Sequence, residues 1–479
     1  MKKNNIGSIF YVVICLLLCV IPFAGMPVAS TDTTTENKKL AEFPEIKENG
    51  KWNTAYLQEM GDYFEDHFAF RPLLVTADSE IQSKLFKTSN MDTVIVGENG
   101  WLYYTATLDD YLGQNTMSER GIYNVAHNLS LMQQYVQDKG MNFLFTVAPN
   151  KNSLYGENMP YYDKKMVSDV KNMILLEPEL ELTGIAYADL FTPFETEKEI
   201  LYLKRDSHWN QKGAVLAYNT LLDKMEYDHE TYETVKNIRT KTEYGDLNKM
   251  LYPLSAVPEW NYQYQKEDTY TYVTDTKSVE DAWIQTSNPD GNGNLLMFRD
   301  SFGNTLLPLM ANVFENGYFS KSTPYNLETY LNDYHPEYVI VEKVERNVDD
   351  FATNPPIMTG PIVTLEDEVT NAETNTSLNL IESEYDTSYW EISGVLDEKY
   401  VSTNTKVYIN VTTNDETTTY EAFTISTENS DNGYLLYIPK EMLSSNSVQI
   451  EVLTENDNQL QNVEARSFDV SQIEIRNEN

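Results

Sequence analysis

Cysteine is almost missing from this chain: two residues in 479, Cys15 and Cys19, both inside one apolar N-terminal run. Everything beyond that run therefore has no disulfide, no thiolate nucleophile and no cysteine metal ligand. A body this long can bury enough core without covalent staples. Histidine is scarce too. The five, His67, His127, His208, His229 and His335, include no two at a zinc-site spacing, so no metal centre is expected. Asp290-Gly291-Asn292-Gly293-Asn294 is superficially like a calcium loop, but its twelfth position would be Ser301 rather than Glu, and a tight turn is the better reading. Positive charge is short: 35 Lys and Arg face 74 Asp and Glu, a formal balance of −39. Phosphate backbones would be repelled, which argues against nucleic acid as a partner. No Gly-rich phosphate loop is present, and no cofactor is implied.

The one long apolar run is N-terminal. Lys2 and Lys3 precede residues 6–24, which are broken only by Gly7, Ser8 and Pro22. A basic start, an apolar core and small residues such as Val28-Ala29-Ser30 describe a secretory signal. The same run nearly reaches the about 17–20 residues that cross a bilayer, so residues 1–30 are expected to be a signal peptide or a membrane anchor. Either places the body outside the cytoplasm, secreted or at the cell surface.

Residues 31–92 read as helical, with Leu57, Met60, Tyr63 and Phe64 at helical spacing. From 93 to 354 short apolar runs alternate with amphipathic stretches. Two short strands flank the Gly97–Gly100 turn. A helix is expected over 121–139, stopped by Gly140, then a buried strand over 143–148. A helix over 163–176, a strand over 185–190, a helix over 211–225 capped by Asn210, a strand over 295–298, a helix over 304–314 and a strand over 338–341 follow. Residues 227–285 are polar and rich in Tyr, with no clear period. The alternation indicates an α/β fold with a mostly parallel sheet covered on both faces. Pro355-Pro356 and Gly360-Pro361 punctuate a linker over 355–370. Residues 371–479 alternate with period two, as in 406–411 and 447–452, and read as a β-sandwich-like domain. A chain ending near Pro361 is expected to stay soluble and keep turnover of a small ester.

Two segments carry chemistry. Lys204-Arg205-Asp206-Ser207-His208-Trp209-Asn210 ends a strand-like stretch and opens a helix. Arg299-Asp300-Ser301-Phe302-Gly303-Asn304 joins another strand to another helix. A serine in that place stands at the C-terminal edge of a parallel sheet, where ligands bind. Its hydroxyl needs a base to become a nucleophile. His208 can be that base, and Asp206 can hold its imidazole in the right tautomer. A surface Asp beside a half-buried His fits the same spacing.

The ordered motifs resemble one family. They are Glu36-Asn37-Lys38-Lys39-Leu40-Ala41-Glu42-Phe43-Pro44, Asp66-His67-Phe68-Ala69-Phe70-Arg71, Gly97-Glu98-Asn99-Gly100-Trp101-Leu102-Tyr103-Tyr104 and Pro149-Asn150-Lys151-Asn152-Ser153-Leu154-Tyr155. Asp206-Ser207-His208-Trp209-Asn210, Gly245-Asp246-Leu247 and Phe298-Arg299-Asp300-Ser301-Phe302-Gly303-Asn304 complete the set. Their order is similar to that of the DHHW proteins of Gram-positive bacteria, relatives of the AlgX/AlgJ polysaccharide O-acetylation proteins, over about residues 36–350. The resemblance implies a circularly permuted SGNH-hydrolase-like domain with Asp206, His208 and Ser301 as its triad. It implies O-acyl chemistry, with acetyl as the acyl group, on a polysaccharide acceptor, and a membrane-bound O-acyltransferase as acyl supplier. The C-terminal region is similar in placement to the carbohydrate-binding module of AlgX-like proteins, and a plain structural domain is an equal alternative. Ser207 stands where the family name has His, and Arg299 where ordinary SGNH hydrolases carry Gly. The backbone N–H of Ser301 is then the expected oxyanion donor, with Asn304 beside it. Lys151, Arg346 and Trp209 are candidate contacts to substrate or oxyanion. Each has a plainer role: Lys151 as a surface loop residue, Arg346 paired with Glu342, Trp209 as a wedge that fixes His208. Transferase, esterase and non-catalytic glycan scaffold all remain open.

Overall fold

A computed structural model describes residues 6–26, 40–48, 51–443, 447–457 and 459–473. The candidate cleavage site Val28-Ala29-Ser30 and the first part of the opening motif lie outside the described residues. The apolar run forms a helix, Ile6–Gly25. Among the described residues no helix is long and apolar enough to cross a membrane. Two short helices, Tyr56–His67 and Arg71–Ile81, follow a two-residue hairpin.

The central sheet has seven strands: β1 Asn142–Ala148, β2 Tyr187–Ala188, β3 Thr271–Tyr272, β4 Trp283–Ser287, β5 Asn294–Phe298, β6 Asn316–Ser320 and β7 Tyr338–Val344. Their order is β2-β1-β7-β5-β6-β4-β3. The first five are parallel, β4 runs antiparallel to β6, and β3 runs antiparallel to β4. The central strands β1, β5 and β7 are largely apolar runs because both faces are covered. Leu144, Leu295, Met297 and Ile340 point into one core with helices Gln211–Lys224 and Gly303–Ala311. Phe143, Phe145, Leu296, Phe298, Val339 and Val341 point into the other, under helix Glu119–Asp138. That helix starts where Ser118 Oγ accepts the Gly121 N–H and ends before Gly140, whose φ of +77° few other residues adopt.

The helix expected over 163–176 is displaced to Asn172–Leu182. Ser168 Oγ accepts the Val170 N–H, a local bond that favours a turn over a helix. The strand expected over 185–190 shrinks to the edge pair Tyr187–Ala188. Within the stretch that showed no period lies a hairpin, Asn237–Glu243 with Glu259–Tyr264.

The C-terminal region forms a five-stranded and a four-stranded sheet packed face to face. Val407, Ile409, Ile450 and Val452 of one meet Ile392, Leu436 and Ile438 of the other. The alternate residues of the four-stranded sheet, Tyr389, Phe423, Leu435 and Tyr437, enter the core beneath helix Glu119–Asp138. Asn128 stitches this joint, donating to Phe351 O (2.7 Å) and Thr424 O (2.9 Å) and accepting from Thr424 N–H (3.1 Å). The stretch expected as a linker is packed as well. Ile357 and Met358 are buried, and Thr359 and Ile362 make bridges to Tyr437 and Tyr420. An independent C-terminal unit on a free tether does not describe this arrangement. The apolar pattern of one sheet serves two cores at once, which period-two alternation alone cannot distinguish from a solvated outer face.

Candidate active site

Residues 203–208 form a tight excursion closed at its base. Tyr202 bridges Trp209, the Leu203 N–H reaches His208 O (3.3 Å) and the Asn210 N–H reaches Leu201 O (2.7 Å). Its backbone is held from two sides. The Glu259 carboxylate accepts the N–H groups of Lys204 (2.9 Å) and Arg205 (2.7 Å). The Lys151 ammonium donates to the carbonyls of Leu203 (3.0 Å), Lys204 (2.9 Å) and Asp206 (2.6 Å). A third element, the start of Asp246–Leu251, presses against it. A Cβ at Gly245 would lie 2.2 Å from Arg205 O, so only glycine fits there.

Ser301 leaves the C-terminal end of β5 just before Gly303–Ala311. Asp300 pins this turn: its Oδ1 accepts the Phe302 N–H (2.8 Å) and its Oδ2 the Val344 N–H (2.7 Å). Glu342, fully buried on β7, accepts the Asp300 N–H (3.0 Å). Burial, and then the neighbouring Asp300, drive the Glu342 carboxyl well above the usual carboxylate range.

The two turns bring three side chains into one line. His208 Nε2 lies 2.8 Å from Ser301 Oγ, and His208 Nδ1 lies 2.8 Å from Asp206 Oδ1. Asp206 Oδ1 also accepts the His208 N–H (2.9 Å), and its Oδ2 the Asp246 N–H (3.0 Å). A carboxylate on Nδ1 selects the tautomer in which Nε2 is bare and accepts the Ser301 O–H. The Phe302 ring lies 4.9 Å from the imidazole and screens one face. Burial alone would raise Asp206, but its bond to the His208 ring, that ring's charge and the two N–H donors hold it down to about 2. His208 is pulled the other way. Burial lowers its pKa, and the charges of Asp206, Asp246 and Asp300 outweigh this and leave it raised.

Asp246 is a second carboxylate on the same ring, its Oδ2 3.7 Å from His208 Nδ1. It accepts the Ser207 N–H (2.8 Å) and the Ser207 hydroxyl. Asp206, His208 and Asp246 are also a cluster of metal-ligating types, with ligand atoms within 4.8 Å of one another. The hydrogen bonds just described account for the placement of all three. Sequence spacing gave no hint of this grouping, because Asp246 stands 40 residues along the chain from Asp206.

The weaker candidates fall elsewhere. Asn304 Nδ2 donates to Glu280 (2.7 Å) and its Oδ1 accepts from Arg299, so both ends of the amide are engaged by neighbours other than Ser301. The Ser301 N–H has no protein acceptor among the described residues. Lys151 is buried and holds carbonyls rather than facing a ligand. Trp209 is also buried, its Nε1 on Thr305 Oγ1 (2.5 Å) and its ring edge-on to Phe302, which is the wedge role and not a sugar platform. Arg346 lies over the Tyr104 ring and 3.5 Å from Asn150 Oδ1, and among the described residues it makes no ion pair with Glu342. A serine hydroxyl, a base and an orienting carboxylate at a sheet edge can perform acyl transfer.

Residues 94–290 match a family model described as SGNH hydrolase-like domain, acetyltransferase AlgX. Over that stretch the chain is similar to SGNH hydrolase-like domains of the AlgX type. The matched stretch contains Asp206 and His208 and ends before Ser301. Among solved structures, Bacillus cereus PatB1 is similar at 17% identity and TM-score 0.44, over 54% of this chain and 98% of that one. A DHHW family protein from Eubacterium siraeum is similar at 15% identity and TM-score 0.42, over 56% and 98%. Pseudomonas aeruginosa AlgX is similar at 15% identity and TM-score 0.35, over 76% and 90%. No curated protein matches the chain. The domain's relationship is therefore to SGNH-like acetyltransferases, as the ordered motifs suggested.

Proposed function

We propose that the protein transfers an acyl group, acetyl, to a hydroxyl of an extracytoplasmic polysaccharide through an acyl-Ser301 intermediate. The observation that carries this reading is the unbroken hydrogen-bonded line from Asp206 through His208 to Ser301, at 2.8 Å on each side of the ring. His208 Nε2 takes the Ser301 proton as Oγ attacks the donor carbonyl, and Asp206 steadies the imidazolium that forms. The oxyanion meets the Ser301 N–H. Collapse expels the donor's leaving group, which takes the proton from His208. A sugar hydroxyl then gives its proton to His208 and attacks the acyl-serine, and Ser301 is released with the proton returned. Water in place of the sugar would make the same enzyme an esterase. The basic and apolar N-terminal segment supports export, and a membrane-bound O-acyltransferase is the fitting acyl supplier.

Ser301→Ala removes only the hydroxyl, so the fold should persist while turnover of an aryl acetate falls by about 10⁴–10⁶. His208→Ala should cost about as much, and the double variant little more, because the residues act as one unit. Following free acetate and acetylated oligosaccharide by mass separates the outcomes. Acceptor-dependent sugar acetylation marks a transferase, and acetate alone marks an esterase. Equal negligible turnover by wild type and Ser301→Ala with several acyl donors would leave only a glycan-binding scaffold.

A further inference from the structure

The turn that carries His208 is tied to the sheet by a side chain from elsewhere. Lys151 follows β1 and opens the short helix Lys151–Leu154. Its neighbours are anchored to the segment after β7, where Glu345 Oε2 accepts the Asn150 N–H (2.7 Å) and the Ser153 hydroxyl (2.7 Å). β7 pairs with β1 on one side and, on the other, with β5, the strand that leads to Ser301. Through the Lys151 ammonium, base and nucleophile are therefore referred to one sheet edge.

The bonds at Nζ call for a cation rather than only a long side chain. An ammonium has three N–H groups, and this one meets three carbonyls, those of Leu203, Lys204 and Asp206. A neutral amine has two, so one carbonyl would go bare. Among the described residues the carbonyls of Leu203 and Asp206 have no other donor, whereas Lys204 O also accepts the Leu102 N–H (2.8 Å). The rings of Trp101 and Tyr103 add their faces, 5.3 and 5.2 Å from Nζ. Asp206 on the turn, Asp246 on the next helix and Glu259 on the hairpin favour the charge through space, but burial outweighs them and pulls Lys151 down to about 7. Of the groups around it, Asp206 is held down to about 2, and burial raises Asp246, Glu259 and the Tyr103 phenol.

We propose that Lys151 is a positioning residue of the catalytic turn, a built-in monovalent cation whose three bonds set His208 against Ser301 and which works only while charged. The purpose rests on the acyl-transfer reading, so aryl acetate turnover is followed together with melting. Lys151→Ala exposes a cage of carbonyls and rings that suits an alkylammonium. Its kcat should fall about a hundredfold, the cost of a ~1 Å misplacement near reacting atoms, with KM changed less than about twofold. Methylammonium chloride, but not tetramethylammonium chloride at equal ionic strength, should recover at least about tenfold of that loss and raise the melting temperature of this variant. Wild type should respond to neither salt. Lys151→Met fills the space without charge, and it should be as slow as Lys151→Ala and deaf to methylammonium. Wild-type kcat should decline as pH rises through about 7. In rescued Lys151→Ala that limb should move upward, because an alkylammonium in solution stays charged to about pH 10. Wild-type kcat in Lys151→Met overturns the proposal, and so does a loss in Lys151→Ala that methylammonium changes in neither turnover nor melting. If Lys151→Ala does not fold, Lys151→Met and the wild-type profile decide, and a kcat level to about pH 9 overturns it. Wild-type turnover in Ser301→Ala would instead sink the acyl-transfer reading, and methylammonium-specific melting of Lys151→Ala would still report the cage.

Discussion

His208 and His127 each face a carboxylate, and they occupy opposite situations. His208 sits at the open edge of the parallel sheet, its side chain 23% exposed, with Asp206 on Nδ1 at 2.8 Å. His127 lies in the joint between helix Glu119–Asp138 and the C-terminal sheets, its side chain 5% exposed and 3.8 Å from Glu421. Edge carboxylates raise the first pKa, whereas burial, with Lys406 and Arg120 adding to it, drives the second down to about 3. Proximity to an acid does not set a histidine's charge. Geometry and water do: a bonded, partly solvated pair favours the cation, and a buried ring without a close partner stays neutral. The edge is arranged for proton transfer and the joint for cohesion.

The comparison is tested most severely by cutting the joint. Ending the chain after Pro361 removes Tyr389, Phe423, Leu435 and Tyr437 from the shared core. Each is worth about 1.5–3 kcal/mol of burial, so the sum rivals the whole stability of a domain. The shortened protein should aggregate, or melt at least 10 °C lower, by roughly the ~2–4 °C per kcal/mol expected at this size. An unchanged melting curve and unchanged aryl acetate turnover would show that the two regions are independent.

A smaller effect comes from acid. His127 has an ordinary pKa of 6.5 when unfolded and about 3 when folded. The unfolded chain therefore takes a proton that the folded one refuses. Stability from this residue falls as pH drops from 6.5 towards 3, by up to about 1.4 kcal/mol per unit. His127→Gln cannot titrate, so its urea midpoint relative to wild type should climb between pH 7 and pH 5. Parallel midpoints would mean the joint admits water.

The smallest concerns the edge. Asp246 helps to raise His208, and Asn in its place retains an oxygen for the Ser207 N–H. Asp246→Asn should move the acid limb of kcat/KM for an aryl acetate to lower pH, because the base stays neutral further into acid. The plateau should change by no more than a few-fold. A limb that stays in place would assign the raised pKa to Asp206 alone.

Much of the edge is legible in the sequence. Asp206 and His208 stand two apart on a strand-to-helix turn, and Ser301 follows an apolar run and precedes a helix, so local rules place all three. The clamp on their turn is hidden. Lys151 reads as an ordinary loop lysine, and only the fold aligns it with three carbonyls. Asp246 falls in one of the ordered motifs, but its distance along the chain hides its place beside His208. The hairpin escaped because Arg239, Thr240, Lys241, Trp260, Asn261 and Tyr262 put polar or aromatic groups on both faces, leaving no apolar period to detect. Asn304 misled for the reverse reason: it stands at the right place in sequence, but Glu280 and Arg299 claim its amide.

The way Lys151 and Glu259 hold the 203–206 turn has a consequence for how this chain can change. Both grip main-chain carbonyls and N–H groups, which every residue type except proline supplies in full. The turn's shape is thereby uncoupled from the identity of most side chains it carries. Positions 204 and 205 can drift while the imidazole stays aimed at its serine. A lineage, or a designer, can change the side chains on one side of this backbone without rebuilding the chemistry on the other.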